Sequence, residues 1–261
     1  MTSATATSPE QFGLAGKHIL VTGGGRGLGQ AIALSAANCG AHVTIVARSI
    51  DQLRDTQDKI TALGSECGIV EADLSQTRQL DSLVEDVWTG QGPIHGVVHA
   101  AGVQVRKPAV DISVEDWAYL HSVNTDAPFF ISTAVARRQL DDALTGSHVF
   151  IGSLNSTIGL PRLAPYAASK SAMLGMVRVM SSEWSGRGIR ANVLAPGYFE
   201  TELTKDLFAD EANRTRVLSR IPMGHLGTGA DVGAAAVFLL SDASRYISGQ
   251  LMNVDGGWLA S

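Results

Sequence analysis

His18-Ile19-Leu20-Val21-Thr22-Gly23-Gly24-Gly25-Arg26-Gly27-Leu28-Gly29 runs directly into Gln30-Ala31-Ile32-Ala33-Leu34-Ser35-Ala36-Ala37. The apolar run after Lys17 reads as a buried strand, and the small residues after Gly29 as a helix. Glycines between them allow close backbone approach to a phosphate, and the free N–H groups of a helix start point at it. The stretch therefore predicts an anion site at a strand-to-helix turn. Its spacing is Gly23-x-x-x-Gly27-x-Gly29, not G-x-G-x-x-G, and no Gly-Lys-Ser/Thr follows to make a P-loop.

The same alternation continues outward. Strands are expected at 42–47, 67–70, 94–99, 148–152, 189–194 and 249–254. Helices are expected at 50–63, 77–88, 117–140 (with a break near 124–128) and 166–184. Strands alternating with helices predict an α/β fold, a doubly wound seven-stranded parallel sheet with helices on both faces. No linker divides the chain, so residues 13–261 are expected to form a single domain behind a loose tail, 1–12. Residues 196–226 break the rhythm and are expected to form a lid over a cleft.

Composition narrows the function classes. The 261 residues are 45% hydrophobic and 17% charged, ordinary for a globular enzyme. A net charge of −5 without a basic cluster argues against a nucleic-acid partner. Cys39 and Cys67 have no metal-type spacing, and two lone cysteines suit a reducing, cytoplasmic compartment. No metal site is expected. No signal-peptide pattern opens the chain, and no apolar run approaches the ~20 residues that span a bilayer, so no membrane partner is expected.

Chemistry enters with Tyr166-Ala167-Ala168-Ser169-Lys170. A tyrosine and a lysine four apart share one helix face. A nearby ammonium favours the phenolate, so Lys170 is expected to lower the Tyr166 pKa from its ordinary ~10. Such a tyrosine exchanges protons with an alcohol or carbonyl, and Ser153, thirteen residues upstream, offers a hydroxyl to the same oxygen.

Together, Thr22-Gly23-x-x-x-Gly27-x-Gly29, Asp73-Leu74, Asn124, Ser153, Tyr166-x-x-x-Lys170 and Pro196-Gly197-x-x-x-Thr201 resemble the short-chain dehydrogenase/reductase family, from about residue 16 to 259. The resemblance implies a single-domain Rossmann fold and hydride transfer between a nicotinamide cofactor and a carbonyl or secondary alcohol. It makes Tyr166 the general acid in reduction and the base in oxidation, with Ser153 holding the substrate oxygen. It makes Lys170 a contact to the nicotinamide ribose as well. Asn124 would hold a water linking Lys170 to solvent. Gly23, Arg26, Gly27, Leu28, Gly29, Asp73, Leu74, Ala101, Gly102, Pro196, Gly197 and Thr201 would contact the cofactor. One departure stands out: the family's Asn-Asn-Ala-Gly appears as His99-Ala100-Ala101-Gly102.

The second strand ends Ile45-Val46-Ala47-Arg48-Ser49. An acid there would pair with the ribose hydroxyls of NAD, but Ala47 stands in its place. Arg48, with Arg26, suits a 2′-phosphate through a planar fork of donors, so NADP(H) is expected over NAD(H).

The small-molecule substrate is expected to face Val103, Gln104, Arg106, Leu154, Asn155, Leu160, Tyr198 and Phe199. The C-terminal half is similar to the gluconate 5-dehydrogenase and 2-deoxy-gluconate 3-dehydrogenase subgroup. That implies a sugar acid, polyol or small polar ketone, with Arg106 facing a carboxylate. Two alternatives are a 3-oxoacyl-carrier-protein reductase, with Arg137, Arg138 and Arg162 meeting the acidic carrier, and a relative that binds dinucleotide without turnover. The resemblance also implies a homotetramer built through the 166–184 helix and the last strand, with Trp258-Leu259 at a subunit contact.

Overall fold

The structure, a computed structural model, describes residues 8–200 and 208–260. Its strands are β1 (His18–Thr22), β2 (His42–Ala47), β3 (Cys67–Glu71), β4 (Gly96–His99), β5 (Gly146–Ile151), β6 (Ile189–Pro196) and β7 (Leu251–Val254). They form one sheet in the order β3-β2-β1-β4-β5-β6-β7, every pair parallel. The helices are α1 (Gly27–Asn38), α2 (Ile50–Ala62), α3 (Leu80–Gln91), α4 (Val114–His121), α5 (Ala127–Asp141), α6 (Ala164–Trp184), α7 (Glu211–Leu218) and α8 (Gly229–Leu240).

Alternate strand residues feed two faces, as the period-2 pleat requires. Ile19, Val21, Val43, Ile45 and Val149 pack with Ile32 of α1, Leu53 of α2 and Val232 of α8. On the other face Leu20, Val46 and Val97 meet Val84 of α3 and Ile131 of α5, and Phe150 and Val193 meet Met173 and Val177 of α6. Each fully buried large aliphatic side chain contributes about 1.5–3 kcal/mol. Two packed faces leave both ends of the strands, rather than the sheet surface, to form sites.

Several boundaries differ from expectation. The 77–88 helix opens as a 3₁₀ turn, Thr77–Gln79, before α3. The break expected near 124–128 is a π-helical turn at Ser122–Asp126 that separates α4 from α5. Helix α8 was not anticipated: its sequence, Gly-Ala-Asp-Val-Gly-Ala-Ala-Ala-Val-Phe-Leu-Leu, shows little polar face. It packs so closely on α1 that a Cβ at Gly233 would stand 2.0 Å from Ser35 Oγ. Of the tail expected at 1–12, Pro9–Phe12 form a 3₁₀ turn, and Phe12 stacks on Phe238 at 6.4 Å. The expected lid holds α7, and part of it, 201–207, lies outside the described residues.

Of the Trp258-Leu259 end expected at a subunit contact, Trp258 is already covered by its own chain. Trp258 is 4% exposed within the single chain, covered by Leu154, Val217 and Ile221. On α6, Met173, Val177 and Met180 are likewise buried in the chain's own core. Exposed apolar side chains include Val179 on α6 and gather at α4 and α5 and the turn before them: Val110, Val114, Trp117, Phe129 and Phe130. Among the described residues no helix is long and apolar enough to cross a membrane, and no group of three His, Cys, Asp or Glu side chains is placed to hold a metal ion.

Candidate active site

A cleft of about 810 Å³ opens at the carboxyl ends of the strands. It lies where the order reverses between β1 and β4, the switch point at which open α/β sheets bind ligands. Its size is within the range of small-molecule sites.

The β1–α1 turn forms one wall, with Gly23, Arg26, Gly27, Leu28 and Gly29 all facing the cleft. Gly27 has φ +58°, a left-handed conformation that favours glycine. A Cβ at Gly29 would come within 2.2 Å of the Gly23 carbonyl oxygen, so this turn closes only around glycine. The result is a helix start whose backbone is bare of side chains, which fits a dinucleotide's pyrophosphate. The departure at His99-Ala100-Ala101-Gly102 also has a physical account. The backbone N–H of Ala101 donates to Thr22 Oγ1 at 3.4 Å, so small side chains let the β1 and β4 loops touch. His99 turns away from the cleft, fully buried, with Nε2 2.7 Å from Ser132 Oγ.

Arg48 at the end of β2 also faces the cleft, with Nη1 donating to Tyr119 Oη at 3.1 Å. No acid occupies the end of β2: Ala47 and Ser49 flank Arg48. Ser49 and Gln52 line the same wall, and neither was among the predicted residues. Both belong to the start of α2, where Ser49 Oγ accepts from the Gln52 N–H at 3.4 Å, so capping alone accounts for their residue types. Asp73 and Leu74 line the adjoining region, where Asp73 Oδ1 accepts from the Ser75 N–H at 3.0 Å. Ala101, Gly102, Pro196 and Gly197 complete this part of the wall. Thr201 lies outside the described residues.

Ser153, Tyr166 and Lys170 meet in the same cleft. Ser153 leaves β5 in extended conformation, and its Oγ accepts from the Asn155 N–H at 3.2 Å, capping the turn Leu154–Ser156. A side-chain hydrogen bond joins Ser153 to Tyr166. Lys170, one turn along α6, is buried, and its Nζ donates to the Ile151 carbonyl at 2.6 Å. That ammonium lies 5.6 Å from the Tyr166 ring centre.

The expected lowering of the Tyr166 pKa is corrected. Burial raises it, because a phenolate in this packed corner loses more solvation than it regains, and the bond to Ser153 offsets only part of the rise. The same burial pulls Lys170 down to about 8. Sequence spacing shows adjacency; it does not show that both groups leave water together.

Asn124 does not line the cleft. It is fully buried in the π-helical turn, where Oδ1 accepts from the Val103 N–H at 2.8 Å and Nδ2 donates to the Val103 carbonyl at 2.9 Å and to Ser169 Oγ at 3.2 Å. With its amide so occupied, its side chain clamps the loop after Gly102 to α6.

The expected substrate residues Val103, Gln104, Arg106, Leu154, Asn155, Leu160, Tyr198 and Phe199 all line the cleft. Asn155 is 6% exposed, and among the described residues its Oδ1 has no hydrogen-bond partner. Arg216, Val217, Arg220 and Trp258 line it as well and were not anticipated. The four-residue spacing of the two arginines within the expected lid was the available signal. By contrast, Arg137, Arg138 and Arg162 are absent from the cleft wall; Arg137 bonds Asp81 at 2.8 Å, and Arg138 lies 3.8 Å from Glu85.

Comparison with known proteins agrees with this geometry. A family model described as enoyl-(acyl carrier protein) reductase matches residues 23–259. The chain is 37% identical over 249 residues to a 2-dehydro-3-deoxy-D-gluconate 5-dehydrogenase of Dickeya dadantii, covering 95% of this chain and 98% of that one. It is 36% identical over 249 residues to a gluconate 5-dehydrogenase of Gluconobacter oxydans, covering 95% and 97%. The crystal structure of a gluconate 5-dehydrogenase from Burkholderia cenocepacia, in complex with NADP and tartrate, superposes with a TM-score of 0.92 at 34% identity, covering 97% and 98%. Full-length likeness to these enzymes joins a glycine turn at the sheet's switch point and a serine, tyrosine and lysine in one cleft: the chain is an oxidoreductase that belongs to the short-chain dehydrogenase/reductase family.

Proposed function

We propose that the protein is an NADP(H)-dependent oxidoreductase acting on the carbonyl or secondary alcohol of a sugar acid. The observation that carries the reading is the placing of Ser153, Tyr166 and Lys170 in one cleft with Arg26, Arg48 and Arg106. The names of the relatives support the sugar-acid class, and the NADP-bound structural neighbours support the cofactor.

When bound, the nicotinamide supplies or takes the hydride. The residues that would hold the cofactor are the Gly23 to Gly29 turn at the pyrophosphate, Arg26 and Arg48 at the 2′-phosphate, Asp73 and Leu74 at the adenine, and Lys170 at the nicotinamide ribose. Gly102, Pro196, Gly197 and Thr201 complete that list. Ser153 donates to the substrate oxygen and fixes its position. Tyr166, whose pKa burial raises, is protonated at neutral pH and gives its proton to that oxygen in reduction. In oxidation it takes the alcohol proton, and the Lys170 charge then stabilises the phenolate. Asn155 Oδ1 accepts from a neighbouring substrate hydroxyl, and Arg106 faces the carboxylate.

A panel of sugar acids, polyols and acyl thioesters, each run with both nicotinamide cofactors, tests the reading. A sugar acid with NADP(H) is expected to show the highest kcat/KM. The carrier-protein alternative predicts an acyl thioester instead. Its basic docking patch has little support, because Arg137 and Arg138 pair with acids and neither they nor Arg162 lines the cleft. Dinucleotide binding without any turnover would favour a non-catalytic relative.

The exposed apolar face of α4 and α5 supports assembly with further copies of the chain, and a homotetramer is the proposed state. A cytoplasmic location is proposed with it.

A further inference from the structure

Asn155 brings a buried amide to the cleft two residues after Ser153. The turn that carries it, Leu154–Ser156, is held from two sides. Leu154 is buried against Val217, Ile221 and Trp258. From α6, Ser171 Oγ shares its proton between the carbonyls of Asn155, at 3.3 Å, and Ser156, at 3.4 Å. Ser156 Oγ in turn donates to the Lys170 carbonyl at 3.0 Å. The Asn155 backbone is therefore fixed to the helix that carries Tyr166 and Lys170.

The two ends of the Asn155 amide do different things. Ser153 Oγ accepts from the Asn155 backbone N–H at 3.2 Å and from Asn155 Nδ2 at 3.4 Å. A hydroxyl has one proton to give and two lone pairs to fill. With both lone pairs taken, the Ser153 proton is left to point outward, toward Tyr166 and the substrate oxygen beside it. The hydrogen bond between Ser153 and Tyr166 favours the phenolate, as a bond donated by Ser153 does. The reverse amide orientation would set Oδ1 against Ser153 Oγ and draw that proton away from the reacting centre. With Nδ2 committed to Ser153, Oδ1 is the end offered to a ligand. It is buried and has no hydrogen-bond partner among the described residues. A buried acceptor without a donor is costly, and a ligand hydroxyl that reaches it removes the cost.

We propose that Asn155 sets the substrate class: Nδ2 makes Ser153 an obligate donor, and Oδ1 requires a hydroxyl on the carbon next to the reacting one. The site then selects α-hydroxy ketones in reduction, and vicinal diols in oxidation, over substrates that lack this neighbour. This role of Asn155 rests on the reading above, in which Ser153 and Tyr166 hold the substrate oxygen. Nδ2 and Oδ1 hang from one planar carbon, so a hydroxyl on Oδ1 lies close to the oxygen that Ser153 holds. Oxygens on adjacent substrate carbons meet that spacing. A 3-oxoacyl thioester carries bare methylenes on both sides of its ketone and would leave Oδ1 unpaired.

The test measures kcat/KM for a keto sugar acid and its deoxy analogue lacking the neighbouring hydroxyl, and for the neutral pair hydroxyacetone and butanone. Each is run with the wild type, Asn155→Ala and Asn155→Asp. The wild type is expected to favour the hydroxy ketone of each pair by at least ~10²-fold. Asn155→Ala is expected to cut that preference at least tenfold. The intrinsic reactivity of a pair cancels between enzyme forms, so this change reports the contact itself. Asn155→Asp keeps an acceptor for the hydroxyl but replaces the donor to Ser153 with a second acceptor. It is expected to keep the preference while kcat falls at least about tenfold on both members of a pair. A wild type that takes both members alike, an undiminished preference in Asn155→Ala, or its loss in Asn155→Asp would overturn the assignment. Fluorescence titration of NADPH shows which variants are folded. If Asn155→Ala is not, the wild type and Asn155→Asp decide. Sugar acids and neutral ketones separate the two readings. If no sugar acid is turned over but hydroxyacetone is favoured over butanone, the sugar-acid reading fails and the role of Asn155 stands. If sugar acids are turned over with or without the neighbouring hydroxyl, only the role of Asn155 fails.

Discussion

Lys170 reaches from α6 to the last residue of β5, its Nζ donating to the Ile151 carbonyl at 2.6 Å. The bond places a buried ammonium beside Tyr166 and sets a cost against function. The pKa of Lys170 is pulled down to about 8 in the fold, below its unfolded value of ~10.4. The stability it contributes is therefore present above the unfolded value and is lost as pH falls through the folded one.

At pH 7 the charged Lys170 accordingly works against folding, and Lys170→Met is expected to remove that penalty while forfeiting the bond to Ile151. A bond to a charged group is worth roughly 1.5–3 kcal/mol, comparable with the penalty removed. The melting temperature at pH 7 is expected to hold or rise, while kcat falls at least ~10³-fold. A calorimetric scan beside a rate measurement checks this; a clear drop in melting temperature would contradict it.

Arg48 carries the cofactor preference. Arg48→Leu is expected to raise KM for NADPH by about 10- to 100-fold with little change for NADH. Steady-state titration of both cofactors decides it, and parallel losses on the two would refute a phosphate role.

A buried polar chain crosses the sheet core beneath the site. Gln139 Nε2 donates to the Ile94 carbonyl at 2.8 Å, which turns Oε1 toward His148 Nε2 at 3.0 Å. His148 is then protonated at Nε2, and its Nδ1 accepts from Ser132 Oγ at 3.0 Å, which in turn accepts from His99 Nε2 at 2.7 Å. Each imidazole is neutral. Burial lowers His148 to about 3 and His18 to about 4, and holds His99 well below its ordinary value. Their stabilising effect is complete above pH ~6.5 and declines as pH falls toward the folded values, because the unfolded chain binds more protons. Unfolding free energy is expected to fall between pH 6.5 and 4.5 by about 1.4 kcal/mol per pH unit for each such histidine. Denaturant titrations across that range test the slope; a flat profile would contradict it.

Trp117, Phe129 and Phe130 stand exposed on α4 and α5. Phe129→Glu with Phe130→Glu is expected to shift the protein to a smaller species on a sizing column with little loss of melting temperature. An unchanged elution volume would place the subunit contact elsewhere.

The β1–α1 unit was legible because an apolar run, a glycine turn and a small-residue helix follow one another without a gap, and the break before α5 because Asn124 to Pro128 interrupts a helical pattern. Helix α8 was not, because a helix that packs on both α1 and the sheet has little polar face to set a period. Ser153, Tyr166 and Lys170 were legible as a set. The direction of the Tyr166 pKa was not, because burial depends on everything packed around the ring. Arg216 and Arg220 stayed hidden for a related reason: nothing local states which face of a lid helix turns toward a cleft.

The central claim is that Tyr166 passes the proton while the surrounding cleft binds the cofactor, and Tyr166→Phe tests it most directly. The fluorescence-titrated dissociation constant for NADPH is expected to stay within about threefold of the wild type, while turnover of the best sugar-acid substrate falls at least ~10³-fold. Turnover within tenfold of the wild type, with cofactor affinity intact, would contradict the account.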